Sequence, residues 1–332
     1  MSVKIFRDED VSTNMVRDKL ITVLGYGNQG RAQALNLRDS GFKVIVGNRN
    51  DPFKLVAQKD GFEVFSIREA AKKGEVLILL IPDEVQPEVY RNEIGEFLDV
   101  GDTLVFASGF NIAFELISPP TNIDVIMVAP RMIGEGVREN YLEGIGFPTF
   151  IGVAQDYTDH AREVALEIAK GIGSTKMGAL EVSFKQEAEL DLFTEQCFSP
   201  AVSQVLSTAI MLLVDEGYPA TAVLLELYMS GELSYTFKKA AELGLIDQMK
   251  LHSRTSQYGS MTRAVRFTDL GEQLNEKMKK GLEEIRSGVF TDEWINEKEA
   301  GYPTLEEMES LLETNTLRKL EKETLKTLAK RE

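Results

Sequence analysis

Between residues 20 and 154 the chain repeats one pattern: a short apolar run rich in β-branched residues, then a helix-like segment. The apolar runs are LITVLGYG (20–27), KVIVGNR (43–49), VLILLIP (76–82), TLVFASG (103–109), DVIMVAP (124–130) and TFIGVA (149–154). Between them, GRAQALNLRDSG (30–41), REAAKKG (68–74) and VQPEVYRNEIGEFL (85–98) have helical patterning, the first stopping at Gly41. Strands that are apolar throughout and alternate with helices predict a parallel sheet covered on both faces. After about residue 182 the β-branched runs stop and long amphipathic helical patterns such as TAVLLELYM (221–229) take over. The last stretch, TLEEMESLLETNTLRKLEKETLKTLAKRE (304–332), reads as a charged helix, frayed at its end. The expected organisation is an α/β domain over 1–181 and an all-α domain over 182–332.

The first apolar run ends in LGYGNQGRA, which sets Gly25, Gly27 and Gly30 in G-x-G-x-x-G spacing between a strand and a helix. Glycines there permit a tight turn, close backbone approach to a pyrophosphate and close helix–strand packing. The helix N-terminus then stabilises the anion. The end of the second strand selects the cofactor: an acid holds a ribose 2′-hydroxyl, a base a 2′-phosphate. In GNRNDPFK, Arg49 and Lys54 are basic and Asp51 is the only acid. This favours NADPH, with NADH as the second option, provided that Asp51 points away from the phosphate.

Composition removes several other functions. With 37 Lys and Arg against 53 Asp and Glu, the formal charge is −16, which argues against nucleic acid and against anionic membrane. The N-terminus, MSVKIFRDEDVSTNM, has no apolar run after its charges and does not resemble a signal peptide. VLILLIP, taken as the strongest apolar run, is too short to span a bilayer. A lone Cys197 excludes an internal disulfide and fits a reducing cytoplasm. With only His160 and His252, neither Ser-His-Asp chemistry nor a histidine zinc site is expected.

SFKQEAELDLFTEQCF (183–198) carries Glu187, Glu189, Asp191 and Glu195. Glu187, Asp191 and Glu195 are four apart, one acidic stripe on a helix, where like charges repel by a few tenths of a kcal/mol per pair. From these residues alone the stripe reads as a solvated face, with half of a metal site as the alternative.

LGYGNQGRAQALNLRDSGF, LLIPDEVQPEVY (79–90), FASGFNIAF (106–114), VAPRMIGEGVRENYLEGIGFP (128–148), VSFKQEAELDLFTEQ (182–196) and SRTSQYG (253–259) together resemble the ketol-acid reductoisomerases, in their short form. The resemblance runs to about residue 265. It implies a Rossmann-type N-terminal domain, a knotted, dimerising helical C-terminal domain, and an oxidoreductase/isomerase of branched-chain amino-acid biosynthesis. Such an enzyme migrates an alkyl group in 2-acetolactate or 2-aceto-2-hydroxybutanoate and reduces the product with NADPH, using Mg²⁺. Cofactor contacts implied at matching positions are Gly25, Tyr26, Gly27, Asn28, Gln29, Gly30, Arg49, Lys54, Asp83, Gln86 and Gly134. Asp191 and Glu195 match two magnesium ligands, leaving Glu187 and Glu189 to the solvated face. Glu226 matches a third ligand and Glu232 is the candidate for the fourth, one carboxylate of that pair also handling protons. Ser253 matches a substrate-contacting serine, or else caps a helix, and Arg131 stands at the position of an active-site lysine. The expected partners are a small acetohydroxy acid and further copies of the chain, in a homodimer or larger assembly in the cytoplasm.

Several family positions differ. Ser108 replaces a histidine, Met132 and Ile133 replace glycine and proline, and Arg131 cannot give up a proton as lysine can. In LELYMSGEL (225–233), Ser230 stands four after Glu226 and Glu232 six after it, about 120° away on a regular helix. These changes keep two alternatives open: a paralogue reducing another small 2-keto acid without isomerisation, and a non-catalytic dinucleotide-binding subunit.

Overall fold

The computed structural model describes residues 3–329. The chain divides into two compact units, Met1–Leu190 and Asp191–Glu332.

The strands of the first unit are β1 (Ile5–Phe6), β2 (Leu20–Leu24), β3 (Lys43–Gly47), β4 (Val64–Phe65), β5 (Val76–Leu79), β6 (Thr103–Phe106), β7 (Asp124–Pro130), β8 (Thr149–Gln155) and β9 (Ala179–Glu181). Its helices are α1 (Asn28–Asp39), α2 (Pro52–Lys59), α3 (Ile67–Ala71), α4 (Gln86–Val89), α5 (Phe110–Ala113), α6 (Gly134–Leu142), α7 (Ala161–Gly171) and the start of α8 (Phe184–Phe193). The sheet order is β1-β9-β8-β7-β6-β5-β2-β3-β4. Successive residues of the central strands enter opposite cores. Val76, Ile78 and Val105 join the helices α1, α6 and α7, whereas Leu77, Leu79 and Phe106 join Ala70, Tyr90 and Ile94. Both faces of the sheet are therefore covered, which is why these strands have no polar alternation.

One expectation needs correcting. The sheet is not parallel throughout: β4 through β7 run parallel, as do β8 and β9, but β8 runs antiparallel to β7, and β1 antiparallel to β9. Apolar content reports two-sided burial but carries no direction. The short β1, β4 and β9 lack enough residues for a periodic signal.

The second unit is helical among the described residues: α9 (Ser199–Asp215), α10 (Ala220–Leu224), α11 (Glu232–Leu243), α12 (Arg254–Ala264), α13 (Thr268–Ser287), α14 (Val289–Glu299), α15 (Pro303–Thr314) and α16 (Thr316–Leu328). The charged C-terminal stretch is thus two helices, because Asn315 leaves helical geometry and caps α16 by accepting the Leu317 N–H at 2.8 Å. Residues 330–332, where fraying was expected, lie outside the described part. Ile210, Val223 and Leu224 are buried with Leu317 and Leu320 against them, whereas Val205, Leu212, Tyr258 and Phe267 are exposed. By length and composition, one helical run among the described residues, Phe184–Asp215, is long and apolar enough to cross a membrane.

Candidate functional site

β2 is flanked by β3 on one side and β5 on the other, so the strand order reverses there. A crevice at that point, beyond the carboxyl ends of the strands, is where open α/β sheets take ligands. A cleft of about 620 Å³ occupies it, lined by Gly25–Gln29, by Asn48, Arg49 and Asp51 after β3, by Leu80–Asp83 after β5, and by Ala107 and Ser108 after β6.

The three glycines of the loop have different reasons to be glycine. Gly25 has φ +98°, and a Cβ there would stand 2.6 Å from the Leu80 carbonyl oxygen. A Cβ on Gly30 would stand 2.0 Å from the Gly25 carbonyl oxygen, whereas one on Gly27 would meet nothing within 4 Å. Gly27 therefore faces open space in the cleft, where a pyrophosphate fits. It is also the N-cap of α1 and offers no capping side chain, so the helix's first N–H groups remain for an anion. Tyr26 contributes backbone only: its ring is buried, and its hydroxyl donates to Asp60 Oδ2 at 2.9 Å. Burial, then that hydrogen bond, raises the Tyr26 pKa, while the Arg31 guanidinium beside Asp60 holds its carboxyl below the usual range. Gln29 donates to the Met132 carbonyl at 2.8 Å, fastening the loop to the chain after β7.

After β3, Asp51 caps α2 and lines the cleft beside Arg49, which is bonded to it at 2.7 Å. Its pKa is lowered, chiefly by that Arg49 hydrogen bond. Asp51 thus lies on the cleft wall, so the condition attached to the NADPH preference, that it point away, is not met. Lys54 sits in the first turn of α2 and is not among the residues lining the cleft. On the β5 side, Gln86 donates to Asp83 Oδ1 at 2.9 Å, and Asn111 donates to the Asp83 carbonyl and to Gln86 Oε1, each at 3.0 Å. Asp83 and Gln86 are thereby held on the cleft wall. Gly134 has a packing reason to be glycine: a Cβ there would stand 2.3 Å from the Asn28 carbonyl oxygen. It lines a second cleft of about 740 Å³ between α1, α2 and α6.

Glu187 is not on a solvated face. It is fully buried, accepts the Gly109 N–H at 2.6 Å and pairs with Arg131 at 2.7 Å. Arg131 also lies over the Phe150 ring at 4.9 Å. One carboxylate thus joins the ends of β6 and β7 to α8, directly behind Ser108 on the cleft wall. A signal was present in the sequence: Phe184, Ala188 and Leu192 form the buried stripe of α8, and Glu187 lies on it at helical spacing. Asn48, buried at the end of β3, was likewise missed; its neighbour Arg49 drew the attention that composition gives to charge.

The remaining carboxylates occupy irregular helix. α8 passes at Thr194–Phe198 into a π-helical turn, so Asp191 lies on regular α-helix and Glu195 on the π turn. Glu226 also lies on a π turn, Leu225–Met229. The six-residue step from Glu226 to Glu232 runs through that turn and through Gly231, whose φ of +84° ends one helix and starts the next. Glu232 is consequently the first residue of α11 rather than a continuation of the Glu226 face. Extra residues that open π turns recur at functional sites. Among the described residues, no three His, Cys, Asp or Glu side chains stand close enough to hold a metal ion. One chain therefore does not gather Asp191, Glu195, Glu226 and Glu232 into a centre. Ser253 caps α12, its Oγ accepting the Ser256 N–H at 3.2 Å.

Two family models match the chain: "Acetohydroxy acid isomeroreductase, NADPH-binding domain" over residues 15–178 and "Ketol-acid reductoisomerase, C-terminal domain" over 184–330. The ketol-acid reductoisomerase (NADP(+)) of Methanocaldococcus jannaschii is 43% identical over 325 residues, covering 97% of this chain and 94% of that protein. That of Pyrococcus abyssi is 41% identical over 321 residues, covering 96% and 95%. The solved structure of an NADH-preferring ketol-acid reductoisomerase from an uncultured archaeon superposes with a TM-score of 0.92 at 38% identity, covering 98% of this chain and all of that one. With the glycine cleft, both family models and this likeness along nearly the whole length, the chain belongs to the ketol-acid reductoisomerase family.

Proposed function

We propose that the chain isomerises and reduces 2-acetolactate and 2-aceto-2-hydroxybutanoate to the corresponding dihydroxy acids, using NADPH and Mg²⁺, in branched-chain amino-acid biosynthesis. The observation that carries this reading is the cleft at the β2 crossover. Its glycine loop is sterically obligatory, and its far wall is braced by Asp83, Gln86 and Asn111. Bound there, the cofactor supplies a hydride to the ketone formed by migration. The loop and the N-terminus of α1 bind the pyrophosphate, while Ala107 and Ser108 face the far end of the cleft.

Asp191, Glu195, Glu226 and Glu232 offer hard oxygen donors, the type that suits Mg²⁺. Such an ion polarises the substrate's carbonyl and hydroxyl oxygens. Because no three of such side chains stand close enough to hold an ion among one chain's described residues, the reading has a second copy contribute the Glu226 and Glu232 pair, and Ser253 then contacts substrate. The exposed Val205, Leu212, Tyr258 and Phe267, and the little-buried run through α9, support a homodimer or larger assembly. Arg131 remains a fixed cation beside the site, and proton transfer is left to a carboxylate of the second pair. The lone Cys197 suits a cytoplasmic protein.

The test is cofactor oxidation with 2-acetolactate, with and without Mg²⁺, beside 3-hydroxy-3-methyl-2-oxobutanoate, which needs only reduction. Magnesium-dependent turnover of both is expected. Turnover of the second substrate alone would replace this reading by that of a reductase without isomerase activity, which the irregular spacing between Glu226 and Glu232 favours. Asp191→Asn removes one anionic ligand and is expected to weaken Mg²⁺ binding by about tenfold or more, as titrated calorimetrically. Unchanged metal affinity would remove Asp191 from the ligand set.

A further inference from the structure

The packed face of α16 carries a carboxylate. Leu317, Leu320, Glu321 and Thr324 recur at helical spacing and share one stripe, and Thr324 is 1% exposed. Leu317 and Leu320 pack against the buried cluster of Ile210, Val223 and Leu224. A carboxylate on such a stripe needs a hydrogen-bond donor. Glu321 has one in Tyr228, whose hydroxyl donates to its Oε1. On the same seam the hydroxyls of Thr221 and Thr324 lie 3.3 Å apart. Thr221, Leu224 and Tyr228, at steps of three and four, thus form the matching stripe of the facing helix.

Tyr228 belongs to the π turn Leu225–Met229, in which Glu226 is the second residue. The Ser230 N–H closes that turn on the Leu225 carbonyl at 3.3 Å, and Gly231 ends the helix directly after it. A π turn holds one residue more than an α turn and is rare. Reverting to α geometry would rotate the residues on one side of it by about 100° relative to those on the other. Two anchors oppose that rotation: Leu224, fully buried before the turn, and Tyr228, bonded to α16 within it. Glu226 stands between them and is itself exposed, so its direction is set by side chains other than its own. We propose that Tyr228 and Glu321 are positioning residues for Glu226, through which the C-terminal helix α16 holds the π turn and presents the Glu226 carboxylate to Mg²⁺ in one orientation. The proposal rests on the reading of Glu226 as a Mg²⁺ ligand and adds what fixes it.

The test is Mg²⁺ affinity, titrated calorimetrically on the full chain without nucleotide or substrate. Tyr228→Phe keeps the ring on the seam and loses only the hydroxyl. It and Glu321→Ala are each expected to weaken Mg²⁺ by about tenfold. The double variant should be no weaker than either alone, because both changes remove the same bond. Glu321→Gln keeps an acceptor for the hydroxyl and should bind Mg²⁺ like the wild type. A merely structural role would lower the melting temperature of the variants and leave the affinity of the folded protein where it was. Unchanged affinity in Tyr228→Phe or in Glu321→Ala, or a loss in Glu321→Gln equal to that in Glu321→Ala, overturns the proposal and leaves Glu226 standing as a ligand. Glu226→Gln separates the two readings: it should weaken Mg²⁺ at least as much, and unchanged affinity there removes Glu226 from the ligand set and the proposal with it.

Discussion

Gly30→Ala is expected to abolish dinucleotide binding. The added methyl would stand 2.0 Å from the Gly25 carbonyl oxygen and 2.9 Å from its carbon, and both atoms are backbone. No side chain can swing aside, so either the turn opens or α1 retreats, each by more than an ångström. Gly25 cannot yield easily, since it is held at φ +98° with its N–H on the Gly47 carbonyl at 2.8 Å. Displacing the N–H groups that face the pyrophosphate by that amount should cost about a hundredfold in affinity or more, read by nicotinamide fluorescence. Gly27→Ala provides the contrast. Its methyl meets nothing within 4 Å in the free protein, so the melting temperature should not change while nucleotide binding still weakens. If Gly30→Ala binds NADPH like the wild type, the loop does not hold the pyrophosphate.

Glu187→Gln is expected to produce the largest loss of stability among single substitutions at the site. The buried carboxylate accepts from Gly109 N and from Arg131 together, whereas an amide has one acceptor oxygen and turns its NH₂ toward one of these donors. Breaking a buried ion pair costs about 3–5 kcal/mol; Arg131 is 25% exposed and recovers some hydration, so about 2–4 kcal/mol is expected. For a unit of this size that lowers the melting temperature by roughly 5–15 °C, measured by calorimetry. Activity should fall as well, since Gly109 follows Ser108 on the cleft wall. Replacing both partners, Arg131→Met with Glu187→Leu, should recover part of the stability and none of the activity, because two apolar groups need no hydration. A melting temperature unchanged in Glu187→Gln would show that the pair does not brace the site.

The residues that made the fold legible are those with local signals. The run from Leu20 to Leu24, the Gly25-Gly27-Gly30 spacing and the helix stop at Gly41 each lie within a dozen residues of what they determine. Asp191 and Glu195 were recognisable by type and spacing, whereas the break between Glu226 and Glu232 could be read only as an excess of two residues. Its resolution by a π turn and an αL glycine needed coordinates.

By itself, the sequence determined an α/β half with a nucleotide-binding turn, a helical half rich in carboxylates, and the family to which both belong. Periodicity, glycine spacing and composition depend on neighbours along the chain. Only the tertiary structure decided that β8 runs antiparallel, that Glu187 lies buried against Arg131, and that Asp51 faces the cleft. It also decided that the four candidate metal ligands do not meet within one chain's described residues. Each of these turns on contacts between distant residues, as when Glu187 meets Gly109 across 78 positions, and no local pattern encodes which buried face a charged side chain will share.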